Sequence, residues 1–128
     1  MKSYTDIEQS KKLAKFLPLK SADMDYIPVI NIDGEYSISV NEWDNDHIID
    51  EDWIPSWSLA ALLNILESEI DGEDGKAYQL NIEKDGTWWN VWYREQYDEA
   101  NPIETESTEE LIDACYEMIL KLHEQNLL

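Results

Sequence analysis

The 128-residue chain carries 29 acidic residues against 9 basic ones, a formal net charge of −20, and 43% of it is hydrophobic. That apolar content supports one folded domain, residues 1–128, and excludes a disordered chain. The charge argues against nucleic-acid and anionic-membrane partners, because phosphate repulsion would add to self-repulsion, and it suits a basic protein surface or divalent cations.

Thr5 and Glu8 have the spacing of a capping box and predict a helix over residues 6–16, closed by Pro18. Ile7, Leu13, Ala14 and Leu17 form a narrow apolar stripe on it, with Lys11, Lys12 and Lys15 elsewhere. Residues 1–20 hold five lysines against Asp6 and Glu8, a net of +3 in an otherwise acidic chain. This basic segment is expected to lie against its own acidic body.

Residues 26–41 read as a hairpin around Asp33-Gly34, with Val29 facing Ile38, Ile27 facing Val40 and Asn31 facing Tyr36. Pro28 offers no donor to a ladder, which predicts an edge strand. Ile30 and Ile32 fall on the other face, which predicts partial cover there too. An acidic connection follows, with one short strand expected near residues 47–49.

Pro55 and then Ser56 or Ser58 supply a helix start. Leu59, Leu62, Leu63, Leu66 and Ile70 recur at helical spacing, widened by Ala60, Ala61 and Ile65, and predict the most buried helix. Asp71-Gly72 ends it, with Gly72 in the left-handed position that follows many helices.

Residues 77–94 read as a second hairpin around Asp85-Gly86 and hold three of the six tryptophans. Counting outward from a two-residue loop pairs Ile82 with Trp89, Leu80 with Val91 and Tyr78 with Tyr93 on an apolar face. The opposite face pairs Glu83 with Trp88, Asn81 with Asn90 and Gln79 with Trp92, so Trp88 and Trp92 lie on the polar side. After a polar stretch, Ser107 and Glu110 make another capping box. Leu111, Ile112, Cys115, Met118, Ile119 and Leu122 then stripe a final helix to about His123. The fold class is therefore α+β, in the order α-ββ-α-ββ-α, with an antiparallel sheet from two hairpins packed against helices.

Familiar chemistries find little support. One cysteine, Cys115, on an apolar stripe, excludes an internal disulfide and a Cys-only zinc site. An EF-hand loop from Asp44 requires Gly at its sixth position and Glu at its twelfth, where Ile49 and Pro55 stand; a loop from Asp71 has Ile82 at its twelfth. Only His47 and His123 could serve a hydrolytic triad, and neither has a spaced nucleophile. The four glycines are each explained by a turn or a helix end, leaving none for a phosphate loop. The chain reads as non-enzymatic, with neither cofactor nor metal. The opening residues lack the apolar core of a signal peptide, and the apolar run at 59–66 is too short to span a bilayer, so a cytoplasmic protein is expected.

Tryptophan and tyrosine anchor interfaces, and here they stand among carboxylates. The candidate interaction surface comprises Trp88, Trp92, Arg94 and Glu83 on the second hairpin, and Trp43, Asp44, Asp46, Asp50 and Trp53 along the acidic connection.

The segments Asp6-Ile7-Glu8-Gln9-Ser10-Lys11-Lys12-Leu13-Ala14, Leu17-Pro18-Leu19, Trp57-Ser58-Leu59-Ala60-Ala61-Leu62-Leu63, Asp113-Ala114-Cys115-Tyr116-Glu117-Met118-Ile119 and Lys121-Leu122-His123-Glu124 together resemble a group of short uncharacterised proteins encoded in bacterial prophages and mobile elements. These are helix-core segments, and the group has no activity to carry over. The resemblance implies a setting in which small acidic proteins often bind host or rival proteins. The expected role is binding a basic protein, as a small modulator or nucleic-acid mimic. The alternatives are an enzyme or small-ligand binder with an acidic aromatic pocket near Trp53 and Trp88, or a self-associating protein joined through a hairpin edge.

Overall fold

Polar side chains set where the first helix begins. In the computed structural model, which describes residues 1–41, 52–95 and 101–128, α1 spans Ile7–Ala14. Its cap is Asp6 rather than Thr5: Asp6 Oδ1 accepts from the Gln9 N–H at 2.8 Å, and the Asp6 N–H donates to Gln9 Oε1 at 3.1 Å. Thr5 is fully buried and committed elsewhere, and so it leaves the cap to its neighbour. The described residues gather into two compact units, Ser3–Ala61 and Leu62–Leu128 with Met1–Lys2, and the boundary falls inside α2, Leu59–Ile65.

In the N-terminal unit, a 3-10 turn at Leu19–Ser21 leads into an antiparallel sheet. Its strands are β1 (Met24–Pro28), β2 (Tyr36–Val40) and β3 (Ile54–Ser56), in the order β2-β1-β3. The observed register pairs Met24 with Val40, Tyr26 with Ile38 and Pro28 with Tyr36. This is three residues from the expected register, and an odd shift exchanges the faces of one strand relative to the other. The cause is a long loop over residues 29–35, in which Asn31 and Gly34 both take positive φ, closed by the Val29 N–H on the Glu35 carbonyl at 2.9 Å. Ile30 and Ile32 ride on that loop and are exposed rather than covered.

Pro28 does not mark an edge strand. β1 is central, but β3 pairs only with Met24, Asp25 and Tyr26, so the proline stands past the end of that ladder. Asp25, in mid-strand, is buried and accepts from the Ser39 hydroxyl and from Asn41 Nδ2, the latter at 2.7 Å. Leu13, Leu17, Ala22, Tyr26 and Trp57 are buried apolar residues of this unit. The short strand expected near residues 47–49 lies outside the described residues.

Helix α2 is shorter than its apolar spacing predicts. Ser58 caps it, with Oγ accepting from the Ala61 N–H at 3.2 Å, but it ends at Ile65 and Leu62 is its buried residue. Ile70 belongs instead to β4 (Glu69–Asp71), so the last residue of the apolar stripe lies on a strand. Gly72 has no positive φ; its role is close approach, because a Cβ there would stand 2.3 Å from the Tyr78 ring. The turn to the next strand uses Gly75 at φ +76. Asp74 accepts from the Lys76 N–H at 3.0 Å and the Tyr78 hydroxyl at 2.9 Å, and the backbone bond first of all holds its carboxyl below the ordinary range.

The C-terminal unit is a meander of β4, β5 (Ala77–Asp85), β6 (Trp88–Glu95) and β7 (Ile103–Glu104), with α3 (Leu111–Glu124) packed against β6. The loop of the long hairpin is Gly86-Thr87, with Gly86 at φ +62, and not Asp85-Gly86. Register therefore slides by two: Leu80 faces Tyr93, Ile82 faces Val91 and Lys84 faces Trp89. An even slide preserves both faces. Tyr78, Val91 and Tyr93 are buried as expected, whereas Ile82 is 39% exposed near the turn.

The most buried helix is α3, in which Leu111, Ile112, Ala114, Cys115, Tyr116, Met118, Ile119 and Leu122 are all buried. Its expected capping box is absent. Glu110 holds the N-cap position, but its carboxylate accepts from the Lys2 N–H at 2.9 Å, while Ser107 donates to Asn90. Among the described residues, no helix is long and apolar enough to cross a membrane.

Candidate functional site

Side chains alternate across a strand, so pairing alone decides which residues share the outer face of this meander. On β5 they are Gln79, Asn81, Glu83 and Asp85; on β6 they are Trp88, Asn90, Trp92 and Arg94. Asp85 pairs with Trp88, Glu83 with Asn90, Asn81 with Trp92, and Gln79 with Arg94. Both tryptophans thus lie on the polar side, as their spacing predicts. Trp88 is 47% exposed at the hairpin end, and Trp92 is half-buried within the sheet.

Strand β7 turns this face into a groove. Glu104 pairs with Trp92 and Ile103 with Tyr93. Ile103 is buried inward, which leaves Glu104 outward beside the indole. Lys121 of α3 donates to the Glu104 carbonyl at 2.5 Å and fastens this two-residue strand. Glu83, Asn90, Trp92, Arg94, Pro102, Glu104 and Thr105 line a concavity of about 350 Å³. Trp92 stands on the middle strand between Asn90 and Arg94, with the carboxylates of Glu83 and Glu104 on the strands to either side.

The inner face shows what a cation does beside an indole in this sheet. Lys84 lies directly opposite Trp89, and its Nζ sits 5.3 Å from that ring's centroid. On the outer face, the residue opposite Trp92 is the neutral Asn81, whose amide donates to the Gln79 carbonyl at 3.0 Å.

Of the expected surface residues, Glu83, Trp88, Trp92 and Arg94 share this face. Trp53 belongs to the N-terminal unit, half-buried just before β3. Trp43, Asp44, Asp46 and Asp50 lie outside the described residues. Glu104, Pro102 and Thr105 were not anticipated, because a two-residue strand inside a polar stretch has too little alternation to read; buried Ile103 beside outward Glu104 is the whole signal.

The titratable groups that burial perturbs lie away from the groove's lining. Burial pushes the Cys115 thiol up to about 12 and the Tyr93 phenol well above its ordinary value, and the Tyr93 hydroxyl donates to the Glu67 carbonyl at 2.6 Å. Among the described residues, no group of three or more His, Cys, Asp or Glu side chains is placed to hold a metal ion. Neither a family model, nor a curated protein, nor a solved structure matches the chain.

Proposed function

We propose that this protein acts by binding a basic protein, as a small acidic modulator, through the outer face of β5, β6 and β7. The observation that carries the reading is Trp92 at the centre of a groove flanked by Glu83 and Glu104. An aromatic anchor that supplies desolvated contact, within a chain of net charge −20 that steers a cationic partner, is the combination such an interface needs. The resemblance to prophage-encoded proteins agrees with this role. The groove's volume is near the lower end of small-molecule pockets, about 300–1,000 Å³, and favours a small-ligand binder as the second reading.

The test is fluorescence anisotropy of a labelled peptide of mixed lysine and arginine at low and high salt, against wild type and the E83Q/E104Q double variant. Binding that weakens with salt and again with the double variant supports the reading. No binding at low salt, or no effect of E83Q/E104Q, overturns it.

A further inference from the structure

Resting on that reading, we infer that the groove's occupant is an arginine side chain of the partner, its guanidinium laid over Trp92 between Glu83 and Glu104. Register puts the carboxylates where the inference needs them. Glu104 is directly opposite Trp92 on β7, and Glu83 is one diagonal step away on β5, being opposite Asn90. Opposite residues in an antiparallel pair have Cβ atoms about 4.5–5.5 Å apart and diagonal ones about 7–8 Å, within reach of long side chains. A cation above the indole therefore has a carboxylate to each side.

Three features favour arginine over other occupants. A planar guanidinium stacks on an indole and still presents N–H donors in its own plane, whereas an ammonium is a point charge that surrenders hydration to do the same. Those in-plane donors match two carboxylates that flank the ring from opposite strands. The chain's charge of −20 supplies the complementarity that selects a cation. Arg94 and Pro102 line the same groove beside Trp92 and Glu104. The pair of Lys84 and Trp89 on the inner face shows that a cation, there an ammonium, can lie over an indole in this sheet.

The probes are three short glycine-flanked peptides that differ at one central residue, arginine, lysine or citrulline, the last being a neutral isostere of arginine. Binding is followed through the indole N–H resonances in two-dimensional NMR, with Trp92 assigned by its loss in Trp92→Phe. The arginine peptide is expected to shift the Trp92 signal, lysine to bind more weakly, and citrulline to leave it unmoved. Trp92→Leu should weaken arginine-peptide binding by about three- to tenfold, and Trp92→Phe by less, because phenylalanine keeps an aromatic face. If E83Q/E104Q weakens basic-peptide binding but Trp92→Leu does not, the arginine site is wrong and the acidic face stands; if citrulline binds like arginine, charge does not select the occupant and both readings fall. If neither charged peptide binds at low salt, both fall.

Discussion

Thr5 and Trp57 are joined twice: the Thr5 N–H donates to the Trp57 carbonyl at 2.9 Å, and the Trp57 N–H donates to Thr5 Oγ1 at 3.2 Å. The same hydroxyl meets Ser10 Oγ at 2.7 Å and Ser56 Oγ at 3.0 Å, and Thr5, Ser10, Ser56 and Trp57 are all fully buried. Thr5→Val keeps the shape but strands the Trp57 N–H, so it should destabilise by about 1–3 kcal/mol, while Thr5→Ser keeps the hydroxyl and should lose only about 1 kcal/mol for the buried methyl. Urea unfolding of the two variants checks this, and equal midpoints would refute the network.

Thr105 is the converse case. Among the described residues its buried Oγ1 has no hydrogen-bond partner, which leaves a desolvated hydroxyl without compensation from them. Thr105→Val removes that hydroxyl at nearly constant shape and should stabilise by about 1 kcal/mol. A lowered urea midpoint would show that the hydroxyl is satisfied after all.

Gly72 is held open by contact rather than by conformation. A Cβ would meet Tyr78 Cε2 at 2.3 Å, and that ring is buried and tied through its hydroxyl to Asp74. Gly72→Ala should therefore destabilise by about 1–3 kcal/mol, the range for overpacking. Melting temperatures of Gly72→Ala with and without Tyr78→Ala separate the clash from backbone effects: the glycine substitution should be much milder once the ring is gone.

Alkaline pH should unfold the protein in a defined window. Burial first, then the nearby charges of Tyr4 and Asp6, push the Tyr26 phenol up to about 12 from 10.0, and burial alone pushes Cys115 up to about 12 from 9.0. The folded chain keeps protons that the unfolded chain releases. The stabilisation is therefore complete below about pH 9 and is lost as pH rises toward 12. Urea midpoints between pH 8 and 11 should fall, less steeply in Cys115→Ala and in Tyr26→Phe. Tyr26→Phe should also lose about 1 kcal/mol at neutral pH, because its hydroxyl donates to the Thr5 carbonyl at 2.7 Å.

Cys115 is also a reporter of opening. Fully buried and kept as a thiol, it should react with a disulfide reagent at least a hundredfold more slowly in the native protein than in denaturant. Rapid modification of the native protein would contradict the packing of α3.

The two hairpins show what was legible. In the second, the expected and observed registers differ by two residues, and the faces survive because side-chain direction repeats every two. Trp88 and Trp92 could therefore be assigned to the polar side before the pairing was known. In the first, a seven-residue loop in place of a two-residue one shifts register by three, and Tyr26 instead of Val29 faces Ile38. Asn31 at φ +68 gave no local sign of that loop, because asparagine tolerates both conformations. Ile70 extended a helical stripe it does not belong to, since a leucine-rich run of this length fits either a helix or a helix followed by a short strand.

By itself the sequence determined the α+β class, the long apolar helix from Leu111, the polar side of the second hairpin and the acidic surface charge, because each follows from periodicity or composition within one segment. Only the tertiary structure decided that Glu104 stands beside Trp92, that Thr5 serves Trp57 instead of capping α1, and that the strands of the described residues form two sheets. Those are pairings between residues distant in the chain. Their partners are chosen by buried backbone and hydroxyl groups that must find hydrogen bonds, and no local pattern names the partner.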